Sequence, residues 1–203
     1  MIIFKNIDLK FNDKTVLKNF NLTIEEGEKV LIAGVSGKGK TTLLKILLGF
    51  TLPSSGSVFV DDLEINEKNI DKIRSKIGYM PQSTPFFNMN VEKLIHTILN
   101  YKQNSNITLD TNKLINTLKE FNLDVGILSK DISQLSGGEK QRLAFVITIL
   151  LDRKIWVLDE ITSSLDQDMK EKVTEYILNS NKTIILVSHD NTDALNKFRR
   201  VIL

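Results

Sequence analysis

Apolar and polar residues alternate from the first residues of the chain. Ile3, Lys5, Ile7, Leu9 and Phe11 fall on one face of an extended segment and Asn6, Asp8 and Lys10 on the other, a period of two that predicts a strand. Asn12-Asp13-Lys14 reads as a turn, Val16 to Ile24 alternates again, and Glu25-Glu26-Gly27-Glu28 reads as the close of a hairpin. The pattern then changes. Lys29–Ala33 is a short apolar run of the kind found in buried parallel strands, and leucine and isoleucine recur at helical spacing from Thr41 to Gly49. Pro53 to Gly56 is a turn, Ser57–Val60 a strand, 66–76 a polar helix and Ile77–Met80 another strand.

Residues 83–135 differ in character. They are rich in Asn, Lys, Leu and Ile at a helical period, above all over 91–101 and 111–121, and read as a helical insertion in an α/β pattern. From Gly137 a helix leads into the strand Ile155–Leu158, a further helix spans 167–179, and Thr183–Val187 is a buried strand. The 203 residues therefore predict one α/β domain, with 1–82 and 136–203 as its core and 83–135 as a helical part.

Composition narrows the function. Hydrophobic residues at 41 % and charged residues at 26 % are ordinary globular usage, which argues against disorder. A net charge of +2 gives no electrostatic footprint for nucleic acid or a membrane surface. The absence of cysteine excludes disulfides, thiol catalysis and Cys-ligated zinc, and the two histidines, His96 and His189, are too few for a His-rich metal site. The richest apolar run, Leu143 to Leu151, is about half a membrane span, and the N-terminal segment carries charge among its apolar residues, unlike a signal peptide. A cytoplasmic protein is expected, and the high Lys, Ile and Asn usage points to an AT-rich bacterial genome.

The chemistry begins at Gly34-Val35-Ser36-Gly37-Lys38-Gly39-Lys40-Thr41, which matches G-x-x-x-x-G-K-[ST] between a strand and a helix. Glycines let backbone N–H groups turn inward onto phosphate oxygens, and the following helix adds its positive N-terminus. Lys40 supplies a mobile charge for the β- and γ-phosphates and Thr41 a hydroxyl for Mg²⁺. Thr42 reads equally as a phosphate contact or as an ordinary first-turn residue. Downstream, Ile155-Trp156-Val157-Leu158-Asp159-Glu160 is an apolar strand ending in two carboxylates, where a parallel sheet places its ligands. Asp159 is then placed to hold Mg²⁺ through water and Glu160 to polarise the attacking water. Leu135-Ser136-Gly137-Gly138-Glu139 is a second glycine turn opening a helix, hence a second backbone anion site.

With Leu135–Glu139 followed by Lys140-Gln141-Arg142, the sequence resembles the ATP-binding-cassette (ABC) ATPases, specifically transporter nucleotide-binding subunits, over nearly its whole length. The resemblance implies a P-loop NTPase (RecA-like) core with an N-terminal antiparallel β subdomain and an inserted α-helical subdomain. It implies ATP and Mg²⁺ as ligands, with Gly34, Ser36, Gly37, Lys38, Gly39, Lys40, Thr41 and Thr42 around the phosphates. Gln82 looks like the Q-loop glutamine that touches Mg²⁺ and links to the membrane partner. Ser163-Ser164-Leu165-Asp166 looks like the D-loop, although Ser163 or Ser164 read alone is a helix cap. His189 looks like the switch histidine that reaches the γ-phosphate, whereas His96 carries no motif. Phe11 stands where the family stacks an aromatic on adenine, and packing beside Leu9 is the equal alternative. In the family two subunits, identical or paired, sandwich ATP between the phosphate loop of one and Ser136, Gly137 and Gly138 of the other, and drive a transmembrane permease from the inner face of the membrane. Phe86, Phe87 and Met89 read either as the groove for that permease or as an anchor of the helical insertion. A non-transport cassette acting on ribosomes or DNA is the alternative, disfavoured by the single cassette and near-neutral charge; a small-molecule kinase leaves 135–139 unexplained.

Several positions depart from the family. Lys38 replaces the usual serine, Ile161 follows Glu160 where importers often have proline and exporters alanine, and Ser164 replaces an alanine. These changes leave the chemistry in place and do not sort the chain with either group. The sequence ends at Phe198-Arg199-Arg200-Val201-Ile202-Leu203, short of a further hairpin, so a minimal or truncated subunit is expected.

Overall fold

The computed structural model describes the chain apart from residues 12–13, 36, 85 and 190–192 and the side chains of Phe11, Lys14 and Asp193. It begins with β1 (Ile2–Phe11), β2 (Lys14–Ile24), β3 (Lys29–Ala33) and α1 (Lys40–Leu47). β4 (Ser55–Val60), β5 (Leu63–Glu64), α2 (Ile70–Arg74) and β6 (Ile77–Met80) follow. Next come α3 (Val91–Leu99), α4 (Thr111–Glu120) and α5 (Gly137–Leu151). β7 (Ile155–Asp159), α6 (Gln167–Asn179), β8 (Thr183–Val187) and β9 (Arg199–Ile202) complete it. The strands form two sheets, an antiparallel one in the order β2-β1-β4-β5 and a parallel one in the order β6-β7-β8-β3-β9. This is the expected P-loop NTPase architecture.

Alternation in the parallel sheet divides residues between two cores. Ile32, Val157, Ile185 and Val187 pack with α1 and the antiparallel sheet. Leu31, Trp156, Leu158, Ile184 and Leu186 pack with α3 to α6 on the other face. Every residue of β7 and β8 is buried, as both-sided cover requires, and this is why those strands read as unbroken apolar runs. An aromatic cluster joins the helices to the sheet. Phe121, at the end of α4, meets Phe145 of α5 edge-on at 5.1 Å and Tyr176 of α6 at 5.4 Å. Tyr176 stacks on Trp156 of β7. Arg153 adds a polar tie, donating to the carbonyl of Gln103 at 2.9 Å and to the side chain of Asn104.

Four sequence expectations need correction. Ile2, Phe4, Ile7 and Leu9 are the inward residues of β1, not Ile3 and Lys5, because the ladder slips between Phe4 and Ile7. Asn6 takes φ +51° in this bulge and reverses the phase, and Asn19, at φ +45°, marks a second slip in β2. Glu25–Glu28 closes no hairpin: β2 and β3 lie in different sheets, and the turn carries the chain between them. The helix expected over 66–76 is only Ile70–Arg74, since Asn66 Oδ1 accepts the N–H groups of Lys68 and Asn69 and holds a turn there instead. The terminal segment forms β9, parallel to β3, a strand the sequence reading lacked.

Candidate active site

The phosphate loop leaves the buried strand β3 and enters α1. Gly37 and Gly39 take φ +79° and +93°, a left-handed region that disfavours any side chain. Gly39 is the N-cap of α1 and has no side chain to satisfy the helix's first N–H groups, which stay available to an anion. Lys40 is buried, and its Nζ donates to the carbonyls of Gly34 at 2.8 Å and Val35 at 3.2 Å. The ammonium thus lies along the loop it would serve. Lys38 and Thr41 are exposed and Thr42 is half-buried. Ser36 and the Phe11 side chain lie outside the described residues.

Asp159 closes β7 with 2 % exposure. Burial pushes its carboxyl pKa up and the neighbouring Glu160 charge adds to that, against the Thr41 hydroxyl and the Lys40 and Lys45 ammoniums. Among the described residues its Oδ1 has no hydrogen-bond partner. A buried carboxylate with an orphaned oxygen beside a threonine hydroxyl is the donor set of a hard divalent cation, so these residues fit Mg²⁺.

Glu160 is the convergence point. Its backbone φ is +50°, a strained conformation for glutamate that costs about 1–3 kcal/mol. Its N–H donates to the carbonyl of Val187 at 2.8 Å. Gln82, just beyond β6, donates from Nε2 to Glu160 Oε2 at 2.6 Å. His189, just beyond β8, places Nε2 3.1 Å from Glu160 Oε1. Since β6, β7 and β8 are adjacent and parallel, their carboxyl ends deliver the three side chains to one point. By contrast, a cleft of about 420 Å³ bordered by Lys113, Trp156, Tyr176 and Lys182 opens by the beginning of β7 and is lined by none of the candidate site residues.

Ser136 caps α5 with a capping box. Its Oγ accepts from the N–H of Glu139 at 3.2 Å, and its own N–H donates to Glu139 Oε2 at 2.8 Å. The Ser136 N–H, and after it the Ser136 side chain, hold the Glu139 carboxyl below its usual pKa. Ser136 and Gly137 are exposed, and a β-carbon on Gly137 would meet nothing within 4 Å. The side-chain partner of Ser136 is Glu139, within the turn itself. Gln141, which the sequence names only as part of Lys140-Gln141-Arg142 and with no role of its own, is buried between Glu160 and Ser164. The cap of α6 is Asp166, accepting from Met169 N–H at 2.9 Å, rather than Ser163 or Ser164. Of the three apolar residues after Gln82, Phe86 and Met89 pack against the core and Phe87 is 71 % exposed.

Comparison with known proteins shows the family. Residues 17–163 match the family model described as ABC transporter. The chain is 34 % identical, over all of itself and 90 % of the relative, to the probable iron export ATP-binding protein FetA of Escherichia coli (strain K12). It is 33 % identical to the energy-coupling factor transporter ATP-binding protein EcfA1 of Mycoplasmopsis synoviae (strain 53), over 96 % of this chain and 76 % of that one. Among solved structures, the ATP-binding cassette MJ0796 in a dimeric post-hydrolysis state bound to ADP and Pi superimposes with a TM-score of 0.84 at 28 % identity, over 100 % of this chain and 94 % of that one.

Proposed function

The chain belongs to the ABC transporter family, and on that footing we propose that it is the ATP-binding and ATP-hydrolysing subunit of a transporter, closing in pairs around ATP to drive a membrane permease. The convergence of Gln82, Glu160 and His189 beside the phosphate loop is the observation that carries this reading. Lys40 and the N–H groups of 34–42 bind the phosphates, with Phe11 beside adenine. Asp159, Thr41 and Gln82 hold Mg²⁺, which when bound offsets phosphate charge. Glu160 takes up the proton of the attacking water as the bond to the γ-phosphorus forms and that to the bridging oxygen breaks. Gln82 and His189 hold its two carboxylate oxygens, and His189 turns to the γ-phosphate when it arrives. Ser136 and Gly138 of a second copy, or of a paired subunit, complete the site from across the interface and exclude water. Residues 83–135 form the helical signature subdomain, with exposed Phe87 in the surface that receives the permease. Among the described residues no helix is long and apolar enough to cross a membrane, so the permease supplies the membrane path and this subunit works at its inner face.

Glu160→Gln tests the reading. The amide keeps the shape and the Gln82 contact but is no base. ATP should bind and hydrolysis should fall by at least about 100-fold. Size-exclusion chromatography with light scattering should show a dimer with ATP and a monomer with ADP or no nucleotide. Turnover close to that of the unaltered protein would reject the assignment.

A further inference from the structure

Gln141 is a polar side chain 3 % exposed, on a helix whose other inward residues are almost all apolar. Backbone groups occupy both ends of its amide. Its Oε1 accepts from Ser164 N–H at 3.0 Å, and its Nε2 lies 3.4 Å from the Glu160 carbonyl oxygen as donor. A backbone N–H only donates and a carbonyl only accepts, so the partners fix which way the amide faces. Ser163 N–H donates to the same Glu160 carbonyl at 3.3 Å, and Glu160 N–H donates across to β8. Glu160, at φ +50°, is therefore held between β8 and α5. Gly138, one turn earlier on α5, permits the approach, since a β-carbon there would lie 3.2 Å from the Ser164 carbonyl oxygen.

We propose that Gln141 is a positioning residue for hydrolysis, tying the first turns of α5 to the backbone of Glu160 and Ser164 and so setting where the Glu160 carboxylate points. This rests on the reading of Glu160 as the hydrolytic carboxylate. It also gives the exposed turn Ser136–Gly138 a one-residue route to Glu160. A contact made on that turn by another subunit's nucleotide moves the helix that holds the carboxylate.

The test uses the full chain. Gln141→Leu removes both bonds at similar volume. Affinity for ATP should stay within about twofold while turnover at saturating ATP falls at least about tenfold, as a small misplacement of a reacting group does. Gln141→Glu keeps an acceptor for Ser164 N–H but sets a second acceptor against the Glu160 carbonyl, so its turnover should fall as far. In the Glu160→Gln background, single-turnover hydrolysis should change by no more than about twofold when Gln141→Leu is added, because the group being aimed has gone. A merely structural Gln141 would lower thermal midpoint and ATP affinity along with turnover, and its loss would multiply in the double variant. Either result overturns the proposal, as does normal turnover of Gln141→Glu. If Gln141→Leu does not fold, Gln141→Glu carries the same double-variant comparison. Normal turnover of Glu160→Gln alone overturns the parent reading; an inactive Glu160→Gln beside a normal Gln141→Leu overturns only this one.

Discussion

Gly39 sits where a side chain meets two obstacles. Its φ is +93°, and a β-carbon would lie 2.5 Å from Val16 Cγ1 on the β1–β2 hairpin. Gly39→Ala should destabilise the protein by about 1–3 kcal/mol and weaken ATP binding, because the loop and the start of α1 must shift together. Adding Val16→Ala should recover only part of this, removing the collision and leaving the dihedral strain; thermal melting and nucleotide titration of both variants check it, and full recovery would place the cost in the collision alone. The same residue shows why the loop was legible: glycine's spacing maps directly onto positive φ. Glu160 and Gln141 were legible to different degrees. A carboxylate after an apolar strand announces itself, but its left-handed backbone does not, since glutamate carries no mark of it. Gln141 bonds backbone atoms nineteen and twenty-three positions away, and no local pattern records such partners.

Elements were easiest to read where packing is two-sided. β7, β8 and α6 are seen with nearly the bounds their apolar spacing predicts, while the phase of β1 was hidden by a bulge at an asparagine that tolerates positive φ. β9 was hidden for another reason: Arg199 and Arg200 are exposed on a strand at the sheet edge, so it has little apolar signature. It is fastened by Arg199, whose guanidinium donates to Glu28 at the entry to β3 and to the Thr23 carbonyl at 2.6 Å. The Arg199 hydrogen bond holds the Glu28 carboxyl below its usual pKa, against the opposing effect of burial. The folded state thus binds fewer protons here than the unfolded chain. The stabilisation is full above the ordinary carboxylate range and fades as pH falls through the lowered pKa. The pair is partly exposed and screened, so Glu28→Gln should cost only about 0.5–1 kcal/mol at neutral pH. Urea midpoints should show that difference closing on acidification. A difference independent of pH would mean that the carboxylate's charge contributes nothing.

Across the whole molecule, the two stretches proposed above to bind phosphate are exposed in one copy, at Val35 and at Ser136 and Gly137. Ser136→Arg should separate them. Loss of the cap should cost about 1 kcal/mol of stability, yet ATP should still bind the isolated subunit, because its own phosphate loop is untouched. The new side chain would stand where the second copy's γ-phosphate arrives, so hydrolysis and ATP-dependent dimerisation should both collapse. If ATP affinity of the single subunit fell as far as turnover, the shared site would be ruled out. The strand order carries a last consequence, for the order in which the protein can be made. β3 delivers the phosphate loop, yet both its neighbours, β8 and β9, come from Thr183 onward. While the chain is being synthesised, the first strand of the parallel sheet waits without a partner until the residues from Thr183 onward have left the ribosome. Its pairings are non-local and parallel, the slowest kind to form. The antiparallel β1–β2 hairpin, complete by Ile24, is free to form long before. ATP therefore meets no finished cradle until residues 183–202 have been made; nucleotide binding becomes possible only when β8 and then β9 close over β3.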